Sequence, residues 1–242
     1  MLLESVVRTI YPPGCVLCGH PTEADFGLCG TCWSDADFLD GAVCMGCGAP
    51  VPGPSDAVDL VCEDCHRIAR PWHRGRAVAR YSGSVRKMIL SLKHGDRAEM
   101  ARAAGPMLAR VAAALPIGDA PAIVPVPLHW TRMLKRRFNQ SALLAQAMAG
   151  RLPGAAYAPD ALVRVRRTAS LEGQGRDERF ATLQEAIRPH PRQGGVLAGR
   201  SVLIVDDVMT SGATLAAATE AAHAAGATQV CVLVLARVVK DT

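Results

Sequence analysis

The sequence predicts an α/β protein, a mainly parallel sheet flanked by helices, preceded by a small cysteine-rich module. Three observations predict it. Eight of the nine cysteines fall between Cys15 and Cys65. Beyond them, apolar runs of strand length alternate with helix-like stretches. One such run, VLIV at 202–205, ends in two adjacent aspartates and a short loop of hydroxyl residues and glycine. With 242 residues, half of them apolar, the chain can bury one ordinary core and carry a small second unit.

The first ten residues, MLLESVVRTI, place Leu2, Leu3, Val6, Val7 and Ile10 at helical spacing, which predicts a short amphipathic helix. Glu4 and Arg8 interrupt the apolar centre that a signal peptide needs. No apolar run approaches the roughly 18 to 20 residues that span a bilayer. The expectation is a cytoplasmic protein without membrane insertion.

The eight cysteines form four CxxC pairs: Cys15/Cys18, Cys29/Cys32, Cys44/Cys47 and Cys62/Cys65. Each CxxC turn brings two thiolates to one side of the chain, so two turns supply the four soft ligands of a tetrahedral zinc ion. A glycine follows the first pair of each unit, and 10 or 14 residues separate it from the second pair. That repeat favours sequential sites, one from Cys15, Cys18, Cys29 and Cys32, the other from Cys44, Cys47, Cys62 and Cys65, in a double zinc ribbon. Disulfides would require an oxidising compartment, which a chain without an export signal does not meet; iron-sulfur ligation is the other alternative. His20 and His66 are spare beside eight thiolates. Cys231, inside VCVLVLA, reads as a small buried hydrophobe.

Charge divides the chain at the same place. Residues 1–74 hold four basic and ten acidic side chains, a net of −6, and residues 75–242 hold 23 basic and 12 acidic, a net of +11. An anionic ligand is therefore expected in the second part. The boundary falls near RPWHRG, giving domains 1–74 and 75–242. After it, GSVRKMILSLKHGD and RAEMARAAGPMLARVAAAL predict helices, PAIVPVPLH a short strand, and RRFNQSALLAQAMAGRL one long helix. VRVRRTASLEGQGRDERF shows no period, and its SLEGQGRDE portion reads as a mobile lid. Strand SVLIVDDV, helix LAAATEAAHAA and strand QVCVLVLARV close the chain.

In an open parallel sheet, ligands collect at the carboxyl ends of strands, which is where Asp206 and Asp207 fall. The loop Met209, Thr210, Ser211, Gly212, Ala213, Thr214 leads into a helix start, where backbone N–H groups and the helix dipole favour a phosphate. Two carboxylates beside that cradle suit sugar hydroxyls, with a divalent metal able to join them. A Walker-type loop is excluded, because its lysine is missing.

VLIVDD followed by TSGAT resembles the signature of type I phosphoribosyltransferases for 5-phosphoribosyl 1-pyrophosphate. Together with the double zinc ribbon, VPVPLH and RRFNQ, it resembles the ComF family of competence-associated, phosphoribosyltransferase-like proteins. Arg137 stands where that family usually has glycine, and Leu171 and Thr182 stand where a glutamine and an asparagine are common. The resemblance implies that Asp206 and Asp207 hold the ribose hydroxyls, that the 209–214 loop holds the 5-phosphate, and that magnesium accompanies the ligand. It also implies that the backbone at Val124 to Pro127 faces the pyrophosphate. Lys93, Arg136, Arg164, Arg166, Arg167, Arg176 and Arg179 are candidate clamps for the leaving group or acceptor, or solvated surface charges. Phe138 is expected in the core with Leu143 and Leu144. Asn139 and Gln140 either read an acceptor base or cap and brace a loop. His94 and His129 read as structural.

Three functions remain open on this evidence. The first is transfer of a phosphoribosyl group to a nitrogenous acceptor, and the second is binding of the activated sugar without turnover. The third is a non-catalytic DNA-uptake factor, regulated by the sugar phosphate, that tracks single-stranded DNA on its arginine-rich face, with competence or DNA-processing proteins as partners. Aromatic residues are only 4% of the chain, too few for an evident row of stacking platforms.

Overall fold

A computed structural model describes residues 12–54, 57, 59–94, 97–166 and 185–239. The expected N-terminal helix, the lid, and Arg167, Leu171, Arg176, Arg179 and Thr182 lie outside the described residues. Two short helices, α1 (Gly30–Ser34) and α2 (Glu63–Arg67), belong to the cysteine-rich part, each starting directly after a cysteine at its N-cap. Strand β1 (Arg74–Arg80) then leads to helices α3 (Gly83–His94) and α4 (Glu99–Ala112). Strand β2 (Ala122–Pro125) is followed by α5 (Trp130–Arg136), α6 (Gln140–Ala149) and β3 (Ala156–Tyr157). A small antiparallel pair, β4 (Leu162–Arg164) and β5 (Ile187–Pro189), precedes β6 (Ser201–Met209), α7 (Ala213–Ala224) and β7 (Gln229–Arg237).

The main sheet is entirely parallel, in the order β1-β7-β6-β2-β3. Its central strands are buried on both faces, which explains why VLIV and VCVLVLA are continuous rather than alternating apolar runs. Val202 and Ile204 face one core with α7, β4 and β5; Leu203 and Val205 face the other with α3, α4 and α6. The cysteine-rich part adds to both. Val16 and Ala36 join the core beneath α3 and α4, while Cys44, Cys47 and Trp72 join the core beneath α7.

The same part covers the outer edge of the sheet. Strand β1 is an edge strand, and its free side is met by Leu39 N–H to Val78 O (3.0 Å), Arg80 N–H to Asp37 O (3.0 Å) and Gly75 N–H to Met45 O (2.9 Å). Such an edge left bare would pair with another chain. At Gly75 the approach is so close that a Cβ would lie 2.5 Å from Gly46 O.

The expected long helix over RRFNQSALLAQAMAGRL is two helices. Arg137 adopts a left-handed conformation (φ 65°) that ends α5, and Asn139 starts α6. Phe138 and Leu143 are half-buried against the core, and Leu144 is fully inside it.

The connection leaving β2 places α6 on one face of the sheet, whereas the one leaving β6 places α7 on the other. Neighbouring strands whose connections diverge open a crevice between their carboxyl ends. Here β2 stops at Pro125, opposite Val205, so Val126 lies beside Asp206 and Asp207 at the opening; the acid pair is not at the end of β6 as expected, because β6 runs on beside β7 to Met209.

Candidate functional site

The eight thiols gather into two sets, Cys15, Cys18, Cys29, Cys32 and Cys44, Cys47, Cys62, Cys65, with the sulfurs of each set within 4.8 Å of one another. None is disulfide-bonded. The Cys18–Cys29 and Cys47–Cys62 sulfurs lie 3.6 Å apart, close to the edge of about 3.8 Å of a tetrahedron with zinc–sulfur bonds of about 2.3 Å. The donor set and spacing fit two structural zinc sites, whose metal would staple a segment too poor in large apolar groups to fold alone.

At the crevice, β6 ends on Met209, which is buried whole, its carbonyl taken by the Val238 N–H (3.0 Å). Gly212 sits at the N-cap of α7 with φ 84°. That left-handed geometry favours glycine, and a Cβ there would lie 2.8 Å from Arg70 Nη1 and 3.1 Å from Trp72. Two arginines hold the loop carbonyls. Arg237 Nη1 donates to Met209 O (3.1 Å) and Thr210 O (2.6 Å), and Arg70 Nη1 donates to Ser211 O (2.7 Å). With those carbonyls drawn to the guanidinium groups, the loop and the first turn of α7 can present N–H groups to an anion.

The acid pair is wired into the surrounding helices. Ser141 Oγ, in the first turn of α6, donates to Asp206 Oδ1 (2.7 Å), and the Asp207 N–H donates to the same oxygen (2.9 Å). Lys93 Nζ, in the last turn of α3, lies 3.0 Å from Asp207 Oδ2. Burial pushes the Asp206 pKa up to about 7; the neighbouring Asp207 adds to the rise, and Ser141, the Asp207 N–H and Lys93 oppose it. The Asp206 carboxyl thus changes charge near neutral pH.

Of the candidate clamps, Lys93 reaches the acid pair directly. Arg164 is buried on β4 within electrostatic range of Asp206, and its pKa is lowered by burial and by Arg132. Arg166 is exposed and pairs with Glu185 (3.7 Å). Arg136 donates to Gln140 Oε1 (3.3 Å), while the Gln140 amide nitrogen is buried without a partner among the described residues. Asn139 caps α6 through Ser141 N–H (3.0 Å) and donates to Val126 O (2.9 Å), which ties α6 to the end of β2. His129 caps α5, its Nδ1 2.9 Å from Thr131 Oγ1. Ser141, Arg237 and Arg70 were not singled out in the sequence; only their distance in chain from the signature hid them.

Comparison with known proteins agrees with this architecture. The Double zinc ribbon domain matches residues 6–66, and the Phosphoribosyl transferase domain matches residues 139–242. The chain is 35% identical to the DNA utilization protein YhgH of Salmonella typhi over 234 residues, 93% of this chain and 97% of that one. It is 34% identical to YhgH of Escherichia coli (strain K12) over the same shares. Against the Competence protein ComFC of Bacillus subtilis (strain 168) it is 26% identical over 80% of this chain and 76% of that one. With two cysteine clusters ahead of a five-stranded parallel sheet and a near full-length match to YhgH, the chain belongs to the ComF/YhgH family, a double zinc ribbon joined to a phosphoribosyltransferase domain.

Proposed function

We propose that the crevice between β2 and β6 binds 5-phosphoribosyl 1-pyrophosphate, with the 209–214 loop receiving the 5-phosphate and Asp206 and Asp207 the ribose hydroxyls. One observation carries the reading: Gly212 starts α7 in a left-handed turn at the end of the loop that follows the acid pair, while Arg237 and Arg70 hold the loop carbonyls. This reading assigns the pyrophosphate to Lys93, which lies beside Asp207, and to Arg164, within electrostatic range of Asp206. The hard oxygen donors of Asp206 and Asp207 suit magnesium, which when bound with the ligand neutralises part of its charge. Where a nitrogenous acceptor is present, the C1–oxygen bond to pyrophosphate breaks and a C1–nitrogen bond forms. The protein's part is positioning and charge stabilisation, and no side chain has to act as nucleophile. Calorimetric titration with the activated sugar and magnesium tests the binding. The double change Asp206→Asn and Asp207→Asn is expected to weaken it about 100-fold, and equal affinity would remove the reading. Pyrophosphate release with a panel of bases then separates transfer from binding alone.

A second reading, single-stranded DNA binding, is favoured by a groove of about 1060 Å³ between the first cysteine unit and helices α4 and α6. Phe26, Trp33, Arg102, Arg110 and Arg151 line it, with Arg102 stacked 4.8 Å over the Phe26 ring. Exposed rings beside guanidinium groups are the elements of a base-stacking surface, and the similar YhgH proteins are named for DNA utilization. Under this reading Trp33→Ala with Arg102→Ala lowers salt-dependent single-strand binding about tenfold. Unchanged binding would leave the groove without that role.

A further inference from the structure

Arg70 touches two places that the sequence keeps far apart. Its Nε lies 3.4 Å from Cys65 Sγ in the second cysteine cluster, and its Nη1 donates to Ser211 O at 2.7 Å. The guanidinium also stacks 5.3 Å from the Trp72 ring centroid. Trp72 is buried and has its own anchor, Nε1 to Gly46 O at 2.6 Å, in the turn between Cys44 and Cys47. Both side chains press on Gly212, since a Cβ added there would meet Arg70 at 2.8 Å and Trp72 at 3.1 Å. A cluster of four thiolates around a divalent metal carries a net charge of about −2, which favours a guanidinium held against one of its sulfurs.

We propose that Arg70 is a positioning residue that fastens the anion loop to the second cysteine cluster, so that the order of that cluster and the affinity of the loop for a sugar phosphate are linked. The proposal rests on the loop being the phosphate cradle described above. A guanidinium is suited to the task because it is planar and offers donors on two sides: one N–H is directed to sulfur and another to the carbonyl. With Ser211 O held away, the peptide unit joining Ser211 to Gly212 is fixed in orientation, and its N–H with it. The coupling also runs backwards, as equilibrium linkage requires: a ligand that orders the loop protects the second cluster, and a lesion in the loop exposes it. The first cluster packs beside the other core and has no such connection among the described contacts.

The test uses the full chain loaded with zinc and reads two quantities. One is the affinity for 5-phosphoribosyl 1-pyrophosphate with magnesium, by calorimetry. The other is the rate at which N-ethylmaleimide modifies each cysteine in the presence of a chelator, resolved by peptide mass spectrometry. Arg70→Ala and Arg70→Lys should weaken binding about tenfold while both clusters still hold metal. Arg67→Ala removes the same charge from the exposed end of α2 and should change nothing. Without any ligand, Gly212→Ala should speed modification of Cys44, Cys47, Cys62 and Cys65 several-fold, leaving Cys15, Cys18, Cys29 and Cys32 as they were. Unchanged affinity in both Arg70 variants, or equal effects of Gly212→Ala on the two clusters, would overturn the linkage. Should the native chain bind no activated sugar while Gly212→Ala still exposes only the second cluster, the coupling stands and the ligand assignment falls.

Discussion

Asp206 concentrates the chemistry of the crevice in a single side chain. Its carboxyl has a folded pKa of about 7, raised chiefly by burial. Because that value lies above the unfolded one, the contribution of this group to stability is full below the ordinary carboxylate range and is lost as pH rises through about 7. Under the proposed binding of the activated sugar, affinity runs the other way, since a ribose hydroxyl is held best by an ionised acceptor. Titrations between about pH 6 and 8 should therefore show tighter binding at the alkaline end, with Asp206→Asn removing the part of the slope due to this group. A native chain and an Asp206→Asn chain with identical pH profiles would refute it. The two aspartates and the loop after them could be read from sequence because they are contiguous. Ser141, which shares Asp206 across 65 residues, and Arg70, which meets Ser211 across 141, could not. Neither has a local pattern to announce it: Ser141 looks like any residue in a helix first turn, and Arg70 like one charge in a basic stretch.

At the level of elements, the sequence reading failed where a single residue overrode periodicity. The apolar spacing through RRFNQSALLAQ continues smoothly, yet Arg137 turns left-handed and the helix axis restarts at Asn139. A non-glycine residue pays about 1 kcal/mol for that conformation. Arg137→Gly should accordingly raise stability by about 0.5 to 1 kcal/mol, visible as a higher melting temperature, and a lower one would show that the arginine side chain makes up the difference. At the same break the Asn139 side chain takes one of the two roles expected of it, capping α6 and bracing Val126 O. Strand β1 escaped notice for another reason. RGRAVAR carries three arginines, and it is a strand because β7 pairs with one side of it and the cysteine module with the other.

For the whole molecule, the cysteine units act as walls of the sheet as much as separate modules. Each contributes to a different core, and together they cover the outer side of β1. Stripping the metal with a strong chelator should consequently do more than unfold residues 12–73. It should bare the β1 edge and the apolar surface under Cys44 and Trp72, giving concentration-dependent light scattering. A chelated chain that stays monodisperse would argue against this role. The spacing of the CxxC pairs made the clusters legible, but which face of the sheet each one supports follows from tertiary packing alone.

The pairing of β1 with β7 has a consequence for the order of assembly. Arg74 lies beside Cys231 and Ala77 beside Val234, so the first strand of the sheet to leave the ribosome waits for the last. During synthesis, a contact of such long range cannot form until β7 has emerged. The two cysteine units are complete much earlier and already offer Asp37, Leu39 and Met45 to the other side of that strand. They are thus in a position to shelter a nascent strand until β7 arrives.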